Sequence, residues 1–245
     1  MPRTRSRAVA GAGGLLALVV ATQSCVTAPA TRSPGPAMPP APTVLSLPSP
    51  STVGAVSVEE ALAGRRSVRE FTSRPLSWAQ VGQLLWAAQG VTDAQGHRTA
   101  PSAGALYPLE LYAVSAEGTF RYLPERHALA TVREGDLRQE LRAAARGQES
   151  VGTAPLVVVI VAVPARTAAR YGQERARRYV QLEAGHAAQN LLLQAVALGL
   201  GAVPVGAFDD ARVAATLGLP ADEEPLYLLP VGYTAGAAAP SAGST

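Results

Sequence analysis

Hydrophobic positions along the chain recur with more than one period, which predicts a domain built from both helices and strands. Leu156 to Val163 is a run of eight apolar residues without alternation, as expected for a central strand covered on both faces. Leu191 to Leu198 is apolar nearly all round and indicates the buried half of a long helix over about 174–198. Gly199 and Gly201 follow this run and end the helix.

Polar residues in front of apolar segments mark the starts of two more helices. Ser57–Glu60 has the capping-box pattern and predicts a short helix over 58–64. Ser77–Gln80 repeats this pattern before a helix that ends at Gly90. The other predicted elements are a hairpin of strands 109–115 and 119–123, helices 136–146 and 210–217, and strands 202–205 and 226–231. Together they predict an α+β fold, a mixed central sheet flanked by helices, in a single domain over 57–233.

Both ends of the chain differ in composition from this domain. Residues 1–25 have a basic start, an apolar core and small or polar residues before the only cysteine, Cys25, which predicts an export signal. Cys25 stands where a bacterial lipoprotein is cleaved and lipidated, which favours an exported, membrane-attached form on the periplasmic or extracellular face over simple secretion. A misread leader, and therefore a cytoplasmic protein, stays the alternative. Residues 26–56 predict a disordered Pro/Ala-rich linker, and residues 234–245 predict a flexible tail.

Composition narrows the chemistry available to the domain. The 245 residues include 21 arginines, no lysine and 18 acidic residues, and three of the arginines lie in the predicted export signal. Without these three, 18 basic residues balance 18 acidic ones, so no nucleic-acid-binding surface is predicted. Without lysine, the chain lacks a Schiff-base residue and the lysine of a Walker-type phosphate loop. One cysteine excludes an internal disulfide, and no motif predicts a metal site.

Three arginines and a serine stand close together just after the first predicted helix of the domain, in the segment Arg65–Phe71. A guanidinium group keeps its charge at physiological pH and presents a planar set of donors that matches phosphate oxygens. The segment is therefore a candidate phosphate site. The alternative is a solvated charged surface, which is the commoner role of an arginine run.

Three segments in register carry a resemblance to a known family: Arg65–Phe71, Pro101–Pro108, and Glu183–His186 continuing through Gly201–Asp209. Together they resemble the nitroreductase family, and specifically its SagB-type dehydrogenase branch. The resemblance spans about 57–233. It implies a nitroreductase-like α+β fold that uses FMN, and a homodimer that holds the flavin at its interface and acts on a small-molecule substrate.

The resemblance also implies which residues contact the flavin. Arg65, Ser67 and Arg69 stand where the family holds the FMN phosphate, the ribityl chain and the pyrimidine edge. Pro101, Ser102, Ala103, Gly104 and Ala105 match the loop that reaches the flavin from the partner subunit. Val205, Gly206 and Ala207 match the turn whose backbone N–H groups face the flavin N5 and O4.

Catalytic residues are less well defined, and Tyr179 and His186 are the two candidates. A lone helical histidine is more often a packed structural residue, and Tyr107 and Tyr179 also fit a role in the core. The resemblance implies that azoline-oxidising members of the branch use a Lys-Tyr pair, and the counterpart of that pair here is Arg178–Tyr179. Because arginine cannot readily move a proton, this difference disfavours peptide azoline oxidation.

The sequence therefore predicts an FMN-dependent oxidoreductase that transfers hydride or electrons between a reduced donor and a small organic acceptor. A different class of function remains as the alternative: a flavin-binding or partner-binding lipoprotein with the same fold and little or no turnover. The alternative rests on the absence of arginine and lysine after Tyr233, where many family members place a basic residue on the phosphate.

Overall fold

The computed structural model describes residues 43–234, in which seven strands form one sheet packed between helices. The strands are β1 (Val44–Ser46), β2 (Leu109–Ser115), β3 (Gly118–Leu123), β4 (Ala128–Glu134), β5 (Leu156–Ala162), β6 (Gly201–Ala202) and β7 (Glu224–Gly232). The helices are α1 (Val58–Gly64), α2 (Trp78–Gln89), α3 (Arg138–Ala144), α4 (Glu149–Thr153), α5 (Pro164–Tyr171), α6 (Gln173–Ala197) and α7 (Asp210–Leu217). Within residues 43–234, no helix combines the length and the apolar character that crossing a membrane requires.

The sheet has the order β1-β4-β3-β2-β5-β7-β6, and its strand pairs are antiparallel. A single parallel bridge, between Ser67 and Ala202, adds the segment after α1 to one edge of the sheet. The predicted α+β class, with one central sheet flanked by helices in a single domain, is confirmed. The predicted export signal, the linker up to residue 42 and the tail from residue 235 lie outside the described residues.

Strand β5 is buried along its whole length, as its unbroken apolar run predicts. Val158 and Ile160 face the layer of α2 and α6, whereas Val157, Val159 and Val161 face the layer of α3 and α7. Each face of the sheet therefore has its own core cluster. Because side chains alternate along a strand, β5 contributes residues to both clusters.

Helix α6 crosses the first of these cores with a continuous buried stripe. The stripe consists of Ala176, Val180, Glu183, Ala184, Ala187, Ala188, Leu191, Leu192 and Ala195. Its spacing of three and four residues is that of one helical face. No residue of 191–198 is exposed, which agrees with the all-round apolar character of this segment.

The prediction of a disordered linker as far as residue 56 is wrong, because Val44–Ser46 pairs with β4. Leu47 then enters the core, and its N–H donates to the His127 carbonyl at 3.1 Å. The His127 ring adds two hydrogen bonds to this contact. Its Nε2 donates to the Pro48 carbonyl at 2.9 Å, and its Nδ1 accepts from the Tyr122 hydroxyl at 2.9 Å. Burial lowers the pKa of His127, which favours this neutral form.

Replacing Leu47 with alanine is expected to lower the free energy of unfolding by about 2 kcal/mol, because it removes a buried side chain near the edge of the core. Leu182→Ala is the matched control, because this leucine is 53% exposed, and it should change stability by less than about 0.5 kcal/mol. Urea unfolding of both variants measures the difference. Equal stabilities for the two variants would support the linker interpretation instead.

Smaller differences concern element boundaries and elements that the pattern did not predict. The helix predicted from 136 begins at Arg138, and the strand predicted over 202–205 is reduced to Gly201–Ala202 with a separate bridge at Val205. Strand β4 and helices α4 and α5 were not predicted. Polar residues do not alternate regularly in β4, α4 has only five residues, and no capping side chain marks the start of α5.

Candidate functional site

The arginine segment leaves α1 and joins the edge of the sheet. Arg65 caps α1, and its N–H donates to the Ala61 carbonyl at 2.9 Å. The Val68 N–H then donates to the Ala202 carbonyl at 3.0 Å, and Ser67 forms the parallel bridge to Ala202. Backbone pairing thus fixes the segment on β6.

The close approach of this segment depends on a glycine in β6. A Cβ atom on Gly201 would lie 2.8 Å from two carbons of Val68 and 2.7 Å from Thr234 Cγ2. Any larger residue at this position would push the arginine segment off the sheet. Gly201 therefore seats the arginine segment on β6, whereas the long helix has already ended at Ala197, ahead of the left-handed Gly199.

The turn at Val205–Ala207 lies next to the arginine segment because both are attached to the same edge. Val205 pairs with Leu228 of β7 through hydrogen bonds of 2.8 and 3.0 Å. Ala202, which bridges Ser67, precedes Val205 by three residues, or about 10 Å of extended chain. Val205 is buried, whereas Gly206 and Ala207 are exposed. Two of the three predicted flavin-contacting segments are thus neighbours within one chain.

The three arginines of this segment have different surroundings. Arg66 donates to the carbonyls of Ala63 and Arg65, at 2.9 and 2.8 Å, so it turns back onto α1. Arg65 is half-buried and Arg69 is exposed, and neither makes a side-chain hydrogen bond or ion pair with residues 43–234. Their charge is therefore available to an anion, together with the exposed hydroxyl of Ser67.

The loop Pro101–Ala105 has a strained backbone. Gly104 has a φ angle of +64°, and the non-glycine residues Ala105 and Tyr107 have φ angles of +53° and +45°. Left-handed conformations at non-glycine residues persist only where surrounding contacts fix them. Here the Tyr107 N–H donates to Ser102 Oγ at 2.9 Å, and Arg166 donates to the Tyr107 carbonyl at 3.0 Å.

This loop lies away from the arginine segment along α6. Ser102 interacts with Glu183, and Gly64, which ends α1, packs against Val196. The two α6 residues are 13 positions apart, which corresponds to about 20 Å along a helix axis. Within a single chain, the loop and the start of the arginine segment therefore meet α6 at well-separated positions.

A buried carboxyl group lies beneath the loop. Glu183 is 3% exposed, and Gln89 Nε2 donates to its Oε1 at 3.4 Å. Arg98 donates to Gln89 Oε1 at 3.2 Å and stacks 4.6 Å above the Tyr107 ring. Burial raises the pKa of Glu183 to about 7, against the opposing effects of Ser102, Gln89 and Arg98. This network connects α2, α6 and the strained loop.

The Nitroreductase family model matches residues 62–233, a range that contains all three segments. The chain belongs to the nitroreductase family.

Relatives of this nitroreductase cover most of its length. A nitroreductase-family protein of Methanocaldococcus jannaschii is 44% identical over 183 residues, or 72% of this chain and 91% of the relative. A Thermus thermophilus protein named NADH dehydrogenase is 27% identical over 218 residues, or 78% of this chain and 93% of the relative. The crystal structure of a nitroreductase-family protein from Ralstonia eutropha is 34% identical, with a TM-score of 0.72, and covers 83% of this chain and 98% of that one.

The two catalytic candidates of this nitroreductase differ in environment. His186 is exposed on α6, so the expectation that it packs in the structure is wrong for the single chain. Tyr179 is half-buried, its ring meets Tyr171 edge-on at 5.2 Å, and its hydroxyl accepts from Arg175 at 3.3 Å. Of the tryptophans, Trp78 packs edge-on against Phe120 at 5.5 Å.

Sequence reasoning missed the network of Glu183, Gln89 and Arg98. One signal was present: Glu183 stands three residues after Val180 and four before Ala187, which places a carboxyl group on the apolar stripe of α6. Its partners come from α2 and from the chain after α2, so their proximity depends on tertiary packing.

Replacing Gly104 with alanine is expected to displace the loop, because the new Cβ would lie 2.8 Å from Tyr171 Oη and 2.9 Å from an Arg170 nitrogen. Gly96→Ala is the matched control: its φ is +82°, but it has no atom within 4 Å of the new Cβ. Both variants carry the left-handed backbone cost of about 1–2 kcal/mol. Thermal unfolding should show a larger loss for Gly104→Ala, and equal losses would indicate that Arg170 and Tyr171 simply move aside.

Proposed function

We propose that this nitroreductase is an FMN-dependent oxidoreductase of the SagB-type branch, which transfers hydride or electrons from a reduced donor to a small organic acceptor. The observation that carries the proposal is the joint attachment of Arg65–Arg69 and Val205–Ala207 to one sheet edge. It brings uncompensated guanidinium groups next to an exposed turn of small residues.

The residues at this edge fit a phosphorylated flavin. Two free guanidinium groups and the Ser67 hydroxyl form a donor set suited to phosphate oxygens. Gly206 and Ala207 are exposed and small, so the backbone at the turn is open to a flat ring. When bound, FMN supplies two-electron hydride chemistry that no amino-acid side chain provides.

The chain's own residues contribute binding and electrostatic stabilisation. Arg65, Ser67 and Arg69 would hold the phosphate, the ribityl chain and the pyrimidine edge, and a cation at that edge would stabilise negative charge there. The backbone N–H groups of Gly206 and Ala207 donate hydrogen bonds without titrating. These N–H groups would stabilise negative charge that develops on the flavin during reduction, and their effect would not depend on pH.

A second copy of the chain completes the site in this proposal, with its Pro101–Ala105 loop reaching the flavin. Exposed apolar side chains support a homodimer: Val53, Val58 and Leu62 are 84%, 65% and 53% exposed. Near them, a cleft of about 680 Å³ lies between residues 49–58, α2 and α6. An apolar surface of this kind is typical of a protein interface.

The proposal includes export and attachment to a membrane through a lipid on Cys25. The relative named NADH dehydrogenase supports a nicotinamide donor, whereas such donors are scarce outside the cytoplasm. We therefore leave the donor within the class of two-electron reductants. Export of the unfolded chain also requires that FMN bind after translocation.

A flavin-binding or partner-binding lipoprotein without turnover is the second candidate. It is favoured by the residues after Tyr233, which include neither arginine nor lysine. Phosphate binding then depends on the arginine segment alone.

Spectroscopy of the purified protein tests the proposal. We expect a bound yellow flavin that is bleached by dithionite or NADH and recovers its colour when a quinone or nitroaromatic acceptor is added. Stable flavin binding without acceptor-dependent recovery would favour the second candidate. A colourless protein that does not bind added FMN would refute both flavin-based functions.

A further inference from the structure

Positive charge is concentrated where α5 meets α6. The segment 166–178 contains five arginines and a single acidic residue, Glu174. Arg166 is paired with Glu110. The other four, Arg170, Arg175, Arg177 and Arg178, are exposed and have no carboxylate within 4.0 Å among residues 43–234. Elsewhere among residues 43–234, Arg98, Arg121, Arg138 and Arg142 are ion-paired and other arginines are not, so this segment is distinguished by the density of its unpaired guanidinium groups.

Two of these arginines form an ordered group with two tyrosines, here called the arginine–tyrosine cluster: Arg170, Tyr171, Arg175 and Tyr179. Arg170 lies 5.5 Å from the centre of the Tyr171 ring, and this ring meets that of Tyr179 edge-on at 5.2 Å. Arg175 donates to the Tyr179 hydroxyl at 3.3 Å. Gly172, with φ of +77°, lets the chain turn between the two helices so that these side chains meet.

The cluster touches the strained loop. Tyr171 Oη and an Arg170 nitrogen would lie 2.8 and 2.9 Å from a Cβ on Gly104, so both groups are in contact with the glycine itself. The cluster is therefore beside the segment that, in the proposed function, reaches the flavin. Four guanidinium groups without acidic partners attract anions to this position and stabilise them there.

We propose that the arginine–tyrosine cluster is the substrate-binding subsite of this enzyme and that the substrate is a flat aromatic anion. This inference rests on the proposed function, which identifies the site as a redox site. The guanidinium groups of Arg170 and Arg175 bind a carboxylate or phosphate, and the Tyr171 and Tyr179 rings pack against the flat part of the molecule. The anion belongs either to the electron acceptor or to a nucleotide donor.

Direct binding of paired probes tests the charge preference without turnover. Isothermal titration of the full protein with FMN, at low salt, would compare 4-nitrobenzoate with 4-nitrobenzamide, which differ in charge and little in shape. We expect the anion to bind about tenfold more tightly, as two partly exposed guanidinium groups allow. The double variant Arg170→Gln/Arg175→Gln should lose this preference.

A second pair distinguishes the two sources of the anion. Nicotinamide mononucleotide carries a phosphate that nicotinamide riboside lacks, so a preference within this pair that depends on Arg170 and Arg175 identifies the donor. A preference confined to the nitrobenzoate pair identifies the acceptor. The control variant Arg126→Gln/Arg212→Gln removes two exposed charges elsewhere and should retain every preference. Circular dichroism checks that all variants fold.

Three results would overturn the inference: equal affinity for charged and neutral probes in both pairs, a preference that survives in Arg170→Gln/Arg175→Gln, or a preference lost equally in the control. The proposed function fails separately, through the absence of flavin binding or of reoxidation by an acceptor. A charge-selective site without flavin would leave the anion subsite standing and refute the oxidoreductase.

Discussion

The double variant Arg65→Gln/Arg69→Gln is expected to bind FMN at least about 100-fold more weakly than the natural protein. A hydrogen bond to a charged group contributes about 1.5–3 kcal/mol, and the variant loses the charge of two such donors. The loss should be severe because no arginine or lysine follows Tyr233 to compensate. Quenching of flavin fluorescence on titration with protein measures the affinity.

Arg66→Gln is the matched control for this experiment. It removes one charge from the same segment, but Arg66 donates to the carbonyls of Ala63 and Arg65 and turns towards α1. Its FMN affinity should remain within about threefold of the natural value, as expected for a screened surface charge. If Arg66→Gln weakened binding as much as the double variant, the phosphate would be bound by net charge alone.

Glu183→Gln is expected to change the pH dependence of the unfolding free energy, and to do so more than Glu117→Gln. The folded protein holds the pKa of Glu183 at about 7, above its usual 4.5, so folding favours the protonated form. This contribution is fully present below about pH 4.5 and is lost as the pH rises through 7. The difference amounts to about 3 kcal/mol of unfolding free energy.

Near pH 5, Glu183→Gln should therefore be close to the natural protein in stability, because a neutral amide replaces a neutral acid. At pH 8 the variant should be more stable by up to about 3 kcal/mol, since it no longer buries a charge. Urea unfolding at both pH values measures this, with the exposed Glu117→Gln as control. A variant that is less stable at pH 8 would mean that the ionised carboxylate has a compensating partner.

The elements that could be predicted from sequence are those whose signal is local. Strand β5 and helix α6 are long enough for their apolar patterns to be distinctive, and Ser57 and Ser77 form the capping boxes that their spacing predicts. Strand β1 could not be predicted because it has three residues in a Pro-rich context and forms only against β4. Whether this segment forms a strand depends on its pairing with β4 in the folded domain.

The candidate site shows the same division. The arginines were visible because their residue type is itself the signal, and the family resemblance connected them with two distant turns. Nothing local indicated that Arg170 and Tyr171 contact Gly104, because the contact joins α5 to a loop far away in the sequence and depends on tertiary packing. Nor could sequence show that Glu183 is buried beside Gln89, since the two residues are 94 positions apart.

The two outer strands of the sheet, β1 and β6, have only three and two residues. Long open edges recruit strands from other molecules and promote aggregation, whereas such short ones offer little backbone to a foreign chain. Ser67 covers part of β6 by its bridge to Ala202. The segment proposed to bind the cofactor thus also covers the edge of the sheet. A substitution that detaches this segment from β6 would be expected to reduce colloidal solubility as well as the affinity for FMN.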